Sequence, residues 1–114
     1  MVNENLQIVP TAGNREGHRI LRLKGCLNLQ TVFEFQNVVR AETAPVVILD
    51  FSGVSFIDSA GLGAVVGAYV ATQRTQRKLA VAAMNAQVKT LVEMTHISQL
   101  IKSYATVGEA EEAM

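Results

Sequence analysis

The stretch that decides the fold runs from Ala44 to Gln73: APVVILD (44–50), FSGVSFIDSAG (51–61) and LGAVVGAYVATQ (62–73). Between Glu42 and Arg74 its only charged residues are Asp50 and Asp58. Val46, Val47, Ile48 and Leu49 form a short, unbroken apolar run rich in β-branched residues, the pattern of a strand buried on both faces within an α/β sheet. Ser52 and Gly53 read as a turn or bend, after which Val54–Ile57 lead to Asp58 and Ser59. A long small-residue helix then begins at Ser59, which reads as its N-cap, with a hydroxyl beside free backbone N–H groups.

Working outward, residues 1–5 are polar and expected to be loose. Leu6–Val9 reads as a short first strand stopped by Pro10, and Gly13, Asn14 and Gly17 supply turn chemistry for a hairpin. The next strand, His18–Lys24, places Leu21 and Leu23 on one face and His18, Ile20, Arg22 and Lys24 on the other, with Gly25 as its end. Asn28 is placed to cap a helix over Leu29–Ala41, with Leu29, Val32, Phe33, Phe35, Gln36 and Val39 at helical spacing. Leu79–Ala83 reads as a buried strand. Asn85 caps a third helix with Val88, Leu91 and Val92 on its inner face. Leu100–Ser103 is extended, and Thr106 with Glu109 forms a capping box opening a last short helix. Strands alternating with helices predict a largely parallel or mixed sheet covered by helices, with any ligand-facing edge at the strand C-termini, where Asp50 and the Asp58–Ser59 pair fall.

With 114 residues, 49% of them hydrophobic and 18% charged, the expectation is one domain spanning 1–114 with an ordinary core. Ten basic residues balance ten acidic ones, which argues against nucleic acid as the main partner. A lone cysteine, Cys26, precludes an internal disulfide and suits a reducing compartment. The start of the chain lacks the basic and apolar regions of a signal peptide, and the weakly polar run Ser59–Thr72 falls short of the ~20 residues needed to span a bilayer. A cytoplasmic protein with no direct membrane insertion is expected.

Enzymatic readings fail on inventory. Ile57-Asp58-Ser59-Ala60-Gly61 is not a Gly-x-Ser-x-Gly elbow, and the two histidines, His18 and His96, read as surface or loop residues. No spaced metal-ligand set exists. Gly61, Gly63 and Gly67 echo a dinucleotide loop, but Val66 stands where its third glycine belongs, and a Walker A loop is missing altogether. A receiver-type phosphoacceptor role for Asp50 would require an acidic pair, and Gly25-Cys26-Leu27-Asn28 has no acid; Asp50 is therefore read as architecture, accepting loop N–H groups. Arg74, Arg77 and Lys78 are read as a favourable charge at a helix C-terminus. Ser59 is different in kind. Phosphate there would add roughly −1.5 to −2 charge beside Asp58, while the helix N-terminus could hold it without strain. Two mid-helix glycines, Gly63 and Gly67, cost about 1–2 kcal/mol together relative to alanine, so close packing on the sheet or an outside contact must compensate.

Leu49-Asp50-Phe51-Ser52-Gly53-Val54 followed by Phe56-Ile57-Asp58-Ser59-Ala60-Gly61-Leu62-Gly63 resembles the core motif of STAS domains, and more narrowly that of bacterial anti-sigma-factor antagonists. The resemblance extends over about His18–Glu112 and includes Leu23-x-Gly25-x-Leu27 and Thr106-x-x-Glu109-Ala110. It implies a single mixed sheet of four to five strands with about four helices, mainly on one side. It also implies partner switching without catalysis. The unphosphorylated chain would bind an anti-sigma-factor serine kinase and free the sigma factor; phosphorylation at Ser59 would release the kinase, and a phosphatase would reset the cycle. The switch surface carried over is Asn28, Asp58, Ser59, Ala60, Gly61, Leu62, Gly63 and Gly67. ATP and magnesium would belong to the kinase, so no cofactor or metal is expected on this chain. The chain departs from the pattern at Asn28, where the family usually has an acid, and at Arg77 and His96, near which glycine is common. Two other readings stand beside this one: a STAS scaffold supporting a transporter or signalling assembly without a serine switch, and a small anion or nucleotide binder using the N–H groups of Ser59–Leu62. The sequence leaves weak homodimerisation open.

Overall fold

In the computed structural model, which describes residues 5–114, five strands form one sheet whose spatial order is the chain order: β1 (Gln7–Ala12), β2 (His18–Leu27), β3 (Val46–Ile57), β4 (Lys78–Ala82) and β5 (Ser103–Tyr104). β1 runs antiparallel to β2, and all later pairs are parallel. The helices are α1 (Val32–Ala41), α2 (Ser59–Arg74), α3 (Ala86–Met94) and α4 (Val107–Ala113), with a single 3-10 turn at Ile97–Gln99. Apart from Asn5, the stretch expected to be loose lies outside the described residues.

Side-chain alternation sorts the two faces. Leu21, Leu23, Val47, Leu49, Leu79 and Val81 point to the main core, which α1, α2 and α3 cover with Phe35, Leu62, Val65 and Val88 among others. Ile20, Val46, Ile48 and Ala82 point the opposite way and meet Ala110 of α4. Three helices therefore cover one face and one short helix part of the other, as the alternating pattern and the family resemblance predict.

Several boundaries differ from those read in the sequence. Pro10 does not stop β1, because β1 is an edge strand, where a proline without an N–H is tolerated; Pro10 lies opposite Leu21. Gly25 does not end β2. It takes φ +113 at a register shift, and the strand continues to Leu27. Ser52–Gly53 is no turn but part of a continuous twelve-residue β3, with the shift falling opposite Lys24. A Cβ on Gly53 would come within 2.8 Å of the Leu23 carbonyl oxygen, so the two bulged strands approach closely at that point. The last strand is Ser103–Tyr104, displaced from the expected Leu100–Ser103 by the 3-10 turn.

The first helix starts at Val32, not Leu29. Asn28 caps a preceding tight turn: its Oδ1 accepts the N–H groups of Gln30 (3.0 Å) and Thr31 (3.2 Å), and the Thr31 hydroxyl donates to Cys26 O at 2.8 Å. Leu29 and Phe33 consequently face solvent, each 69% exposed, while Val32, Phe35 and Val39 are buried. His18 is not a surface histidine. Its side chain is buried beneath α4, with Nδ1 lying 3.9 Å from Glu111 Oε1. That same carboxylate oxygen accepts the Asn14 N–H at 2.6 Å, tying α4 to the β1–β2 turn. His96 adopts the left-handed conformation (φ 62) that glycine would otherwise supply, whereas at the end of α2 this role falls to Gln76 (φ 59), not Arg77. Arg77 instead donates through one nitrogen to the carbonyls of Glu42 and Ala44, closing the α1–β3 loop.

Candidate functional site

The parallel pairing of β2 with β3 brings Leu27 opposite Ile57, so the segments leaving both strands emerge together at the C-terminal edge of the sheet. One carries Asn28 and Leu29; the other carries Asp58, Ser59 and Ala60. A backbone bond from Asp58 N–H to Leu27 O (3.3 Å) joins them. The Asp58 carboxylate completes the junction: Oδ1 accepts the Gly61 N–H at 2.8 Å, and Oδ2 accepts the Leu29 N–H at 3.1 Å.

Asp58, not Ser59, is thus the N-cap of α2. Both residue types cap well and they are adjacent, so the residue pattern read Ser59 as the cap; extended backbone at Asp58 (φ −107, ψ −175) moves it one residue earlier. Ser59 becomes the first helical residue. It is exposed, and its hydroxyl has no hydrogen-bond partner among the described residues. Gly61 is held by close approach, since a Cβ there would collide with the Leu27 carbonyl oxygen. Leu62 is buried in the main core. Those two residues anchor the start of α2, while Ser59 and Ala60 remain outside it.

Gly63 and Gly67 behave oppositely to Gly61. Both are exposed, and a Cβ at either would meet nothing within 4 Å. Close helix–sheet packing therefore does not explain them. The expected site residues converge as one surface in part: Asn28, Asp58 and Ser59 at the junction, then Gly63 and Gly67 down the exposed face of α2. Asp50 lies outside it. Its Oδ1 accepts the Ser52 N–H at 2.9 Å and its Oδ2 faces Arg22 Nε at 3.8 Å, the architectural role read from sequence. The residue that sequence reading missed is Leu29. Its N–H completes the junction and its side chain is exposed beside it, whereas helical periodicity placed it inward. Among the described residues, no cluster of His, Cys, Asp or Glu could hold a metal ion, and no helix is long and apolar enough to cross a membrane.

The model of the STAS domain matches residues 10–110, and the chain belongs to that family. Among solved structures, the fold is similar to an anti-sigma factor antagonist from Mycobacterium paratuberculosis (TM-score 0.81, 19% identity, covering 94% of this chain and 93% of that one). It is similar to the Bacillus cell fate determinant SpoIIAA in its phosphorylated form (TM-score 0.71, 17% identity, 94% and 98%). It is also similar to the STAS domain of a SulP transporter from Vibrio cholerae (TM-score 0.67, 17% identity, 89% and 83%). At these identities the likeness defines the architecture.

Proposed function

We propose that this chain is an anti-sigma-factor antagonist, a non-catalytic binding module switched by phosphorylation of Ser59. The observation that carries the reading is the exposed, unpartnered Ser59 hydroxyl at the first position of α2, on a turn already fixed by Asp58. A kinase can reach that oxygen without unfolding anything. The helix N-terminus tolerates the phosphate, and the change offered to a partner is one of charge, next to an existing carboxylate. In the unmodified state the chain binds an anti-sigma-factor serine kinase in the cytoplasm; a phosphatase acting on phospho-Ser59 restores that state.

The test uses the panel of histidine-kinase-like serine kinases from the source organism, purified with ATP. One of them is expected to bind the chain and to add one phosphate, located at Ser59 by intact-mass and peptide analysis. Ser59→Ala should bind and resist release, and Ser59→Asp should bind at least about tenfold more weakly, equivalent to about 1.4 kcal/mol. Equal binding by both variants overturns the switch. Asn28, in place of the family's usual acid, favours as second reading a scaffold of a transporter or signalling assembly; it predicts stable co-purification with that assembly and an unphosphorylated Ser59 in cells.

A further inference from the structure

Beside the junction, α1 and α2 line a groove of ≈ 220 Å³. Phe35, Val39, Ala64 and Ala68 form its apolar floor, Gln36 and Arg40 of α1 add polar atoms, and its α2 wall is bare because Gly67 and Ala71 line it. The two exposed glycines of α2 carry a helix-propensity penalty that no contact within the described chain offsets, since a Cβ at either would enter open space. At the junction end the surface continues into two aromatic or aliphatic side chains that folding leaves uncovered, Leu29 and Phe33. At the opposite end stand Arg40, which lines the groove, and Arg74, in the last turn of α2. Arg19, Arg22 and Arg77 all have internal partners, but neither Arg40 nor Arg74 has a hydrogen-bond or ion-pair partner among the described residues.

We propose that this groove seats a helix of the partner protein, apolar on one face and acidic at the end that meets Arg40 and Arg74. The inference rests on the partner-switching reading and specifies the partner's chemistry. Gly63 and Gly67 let a second backbone approach over about 12 Å of α2, the length from Gly63 to Ala71. Leu29 and Phe33 supply the desolvated anchors, and the two guanidiniums fix direction by charge complementarity. Ser59 lies at the anchor end, so its phosphate would act where the apolar contact is made.

The test places the photo-crosslinker benzoyl-phenylalanine at position 33 of the full chain in cells, where it replaces an exposed aromatic side chain and leaves the groove open, and sequences the crosslinked peptide. The expected product is an acidic, amphipathic segment of another protein, at least tenfold reduced in the Arg40→Glu/Arg74→Glu variant. No crosslink, a crosslink to a second copy of this chain, or one to a neutral or basic segment overturns the proposal. Gly67→Leu provides a folding control. It should raise Tm, because leucine favours the helix over glycine and its Cβ meets nothing within 4 Å, yet weaken partner binding at least tenfold. Unchanged binding by Gly67→Leu overturns the groove. The two readings fail separately: a crosslink that persists in Ser59→Asp sinks the switch and keeps the groove, whereas a kinase released by Ser59→Asp but indifferent to Gly67→Leu does the reverse.

Discussion

At Asp58 one carboxylate joins two loops. Its oxygens accept N–H groups from Gly61, within its own helix, and from Leu29, 29 residues earlier. Removing the side chain leaves both donors unpaired, so Asp58→Ala should lower stability by about 1–2 kcal/mol in urea denaturation. Asp58→Asn, which retains one acceptor oxygen, should lose less. The three glycines of α2 make a sharper set. Gly61→Ala forces a Cβ against the backbone of Leu27 and the side chain of Ile57 and should cost about 1–3 kcal/mol. Gly63→Ala and Gly67→Ala enter open space and should each stabilise by about 0.5–1 kcal/mol in the same experiment. Opposite signs within one helix would separate the glycine that the fold requires from those it does not.

At the scale of elements, the caps of α3 and α4 were legible, those of α1 and α2 were displaced to Thr31 and Asp58, and strand ends were not legible. Asn85 accepts the Val88 N–H at 2.8 Å, and Thr106 accepts that of Glu109 at 3.0 Å, as their residue types and spacing indicate. A cap depends on three or four consecutive residues, so its signal is local. Strand ends depend on the neighbouring strand. Gly25 and Gly53 carry turn-forming residue types, yet each is absorbed as an irregularity in a strand held by its partner. Pro10 reads as a stop only if the strand is assumed to be interior. The junction was half legible: Asp58–Ser59 and its helix were visible, but the division of labour between the two residues depends on Leu29, brought close by β2–β3 pairing. Asn85 also shows an element-level link absent from any local pattern, because its Nδ2 donates to Val54 O at 3.1 Å and pins α3 to the bulged half of β3. Asn85→Ala should therefore cost about 1–2 kcal/mol in thermal denaturation, and Asn85→Asp, which keeps the cap but cannot donate, an intermediate amount.

For the whole molecule, the two faces of the sheet are held by different means. The larger face is sealed by three helices and a continuous apolar core, the smaller by α4 through a few apolar contacts and the buried Glu111 carboxylate. Glu111→Ala should release the β1–β2 turn, seen as faster hydrogen exchange at the Asn14 amide, while exchange in β3 changes only by the loss of global stability. In the native chain, amides of Val47–Phe51 in the central strand should exchange slowest and those of β5, only two residues long, among the fastest. The coincidence of spatial and chain order in the sheet has a kinetic consequence. Each strand from β2 onward pairs first with the strand made just before it, so no early strand waits for a distant late one to fill a gap between neighbours. Each parallel pair therefore joins residues separated by a single helical crossover, as in His18 with Val46 and Val46 with Lys78, and none requires a longer loop to close. A chain leaving the ribosome can extend its sheet in the order of synthesis, with the hairpin of β1 and β2 as the template and α4 as the last segment to close.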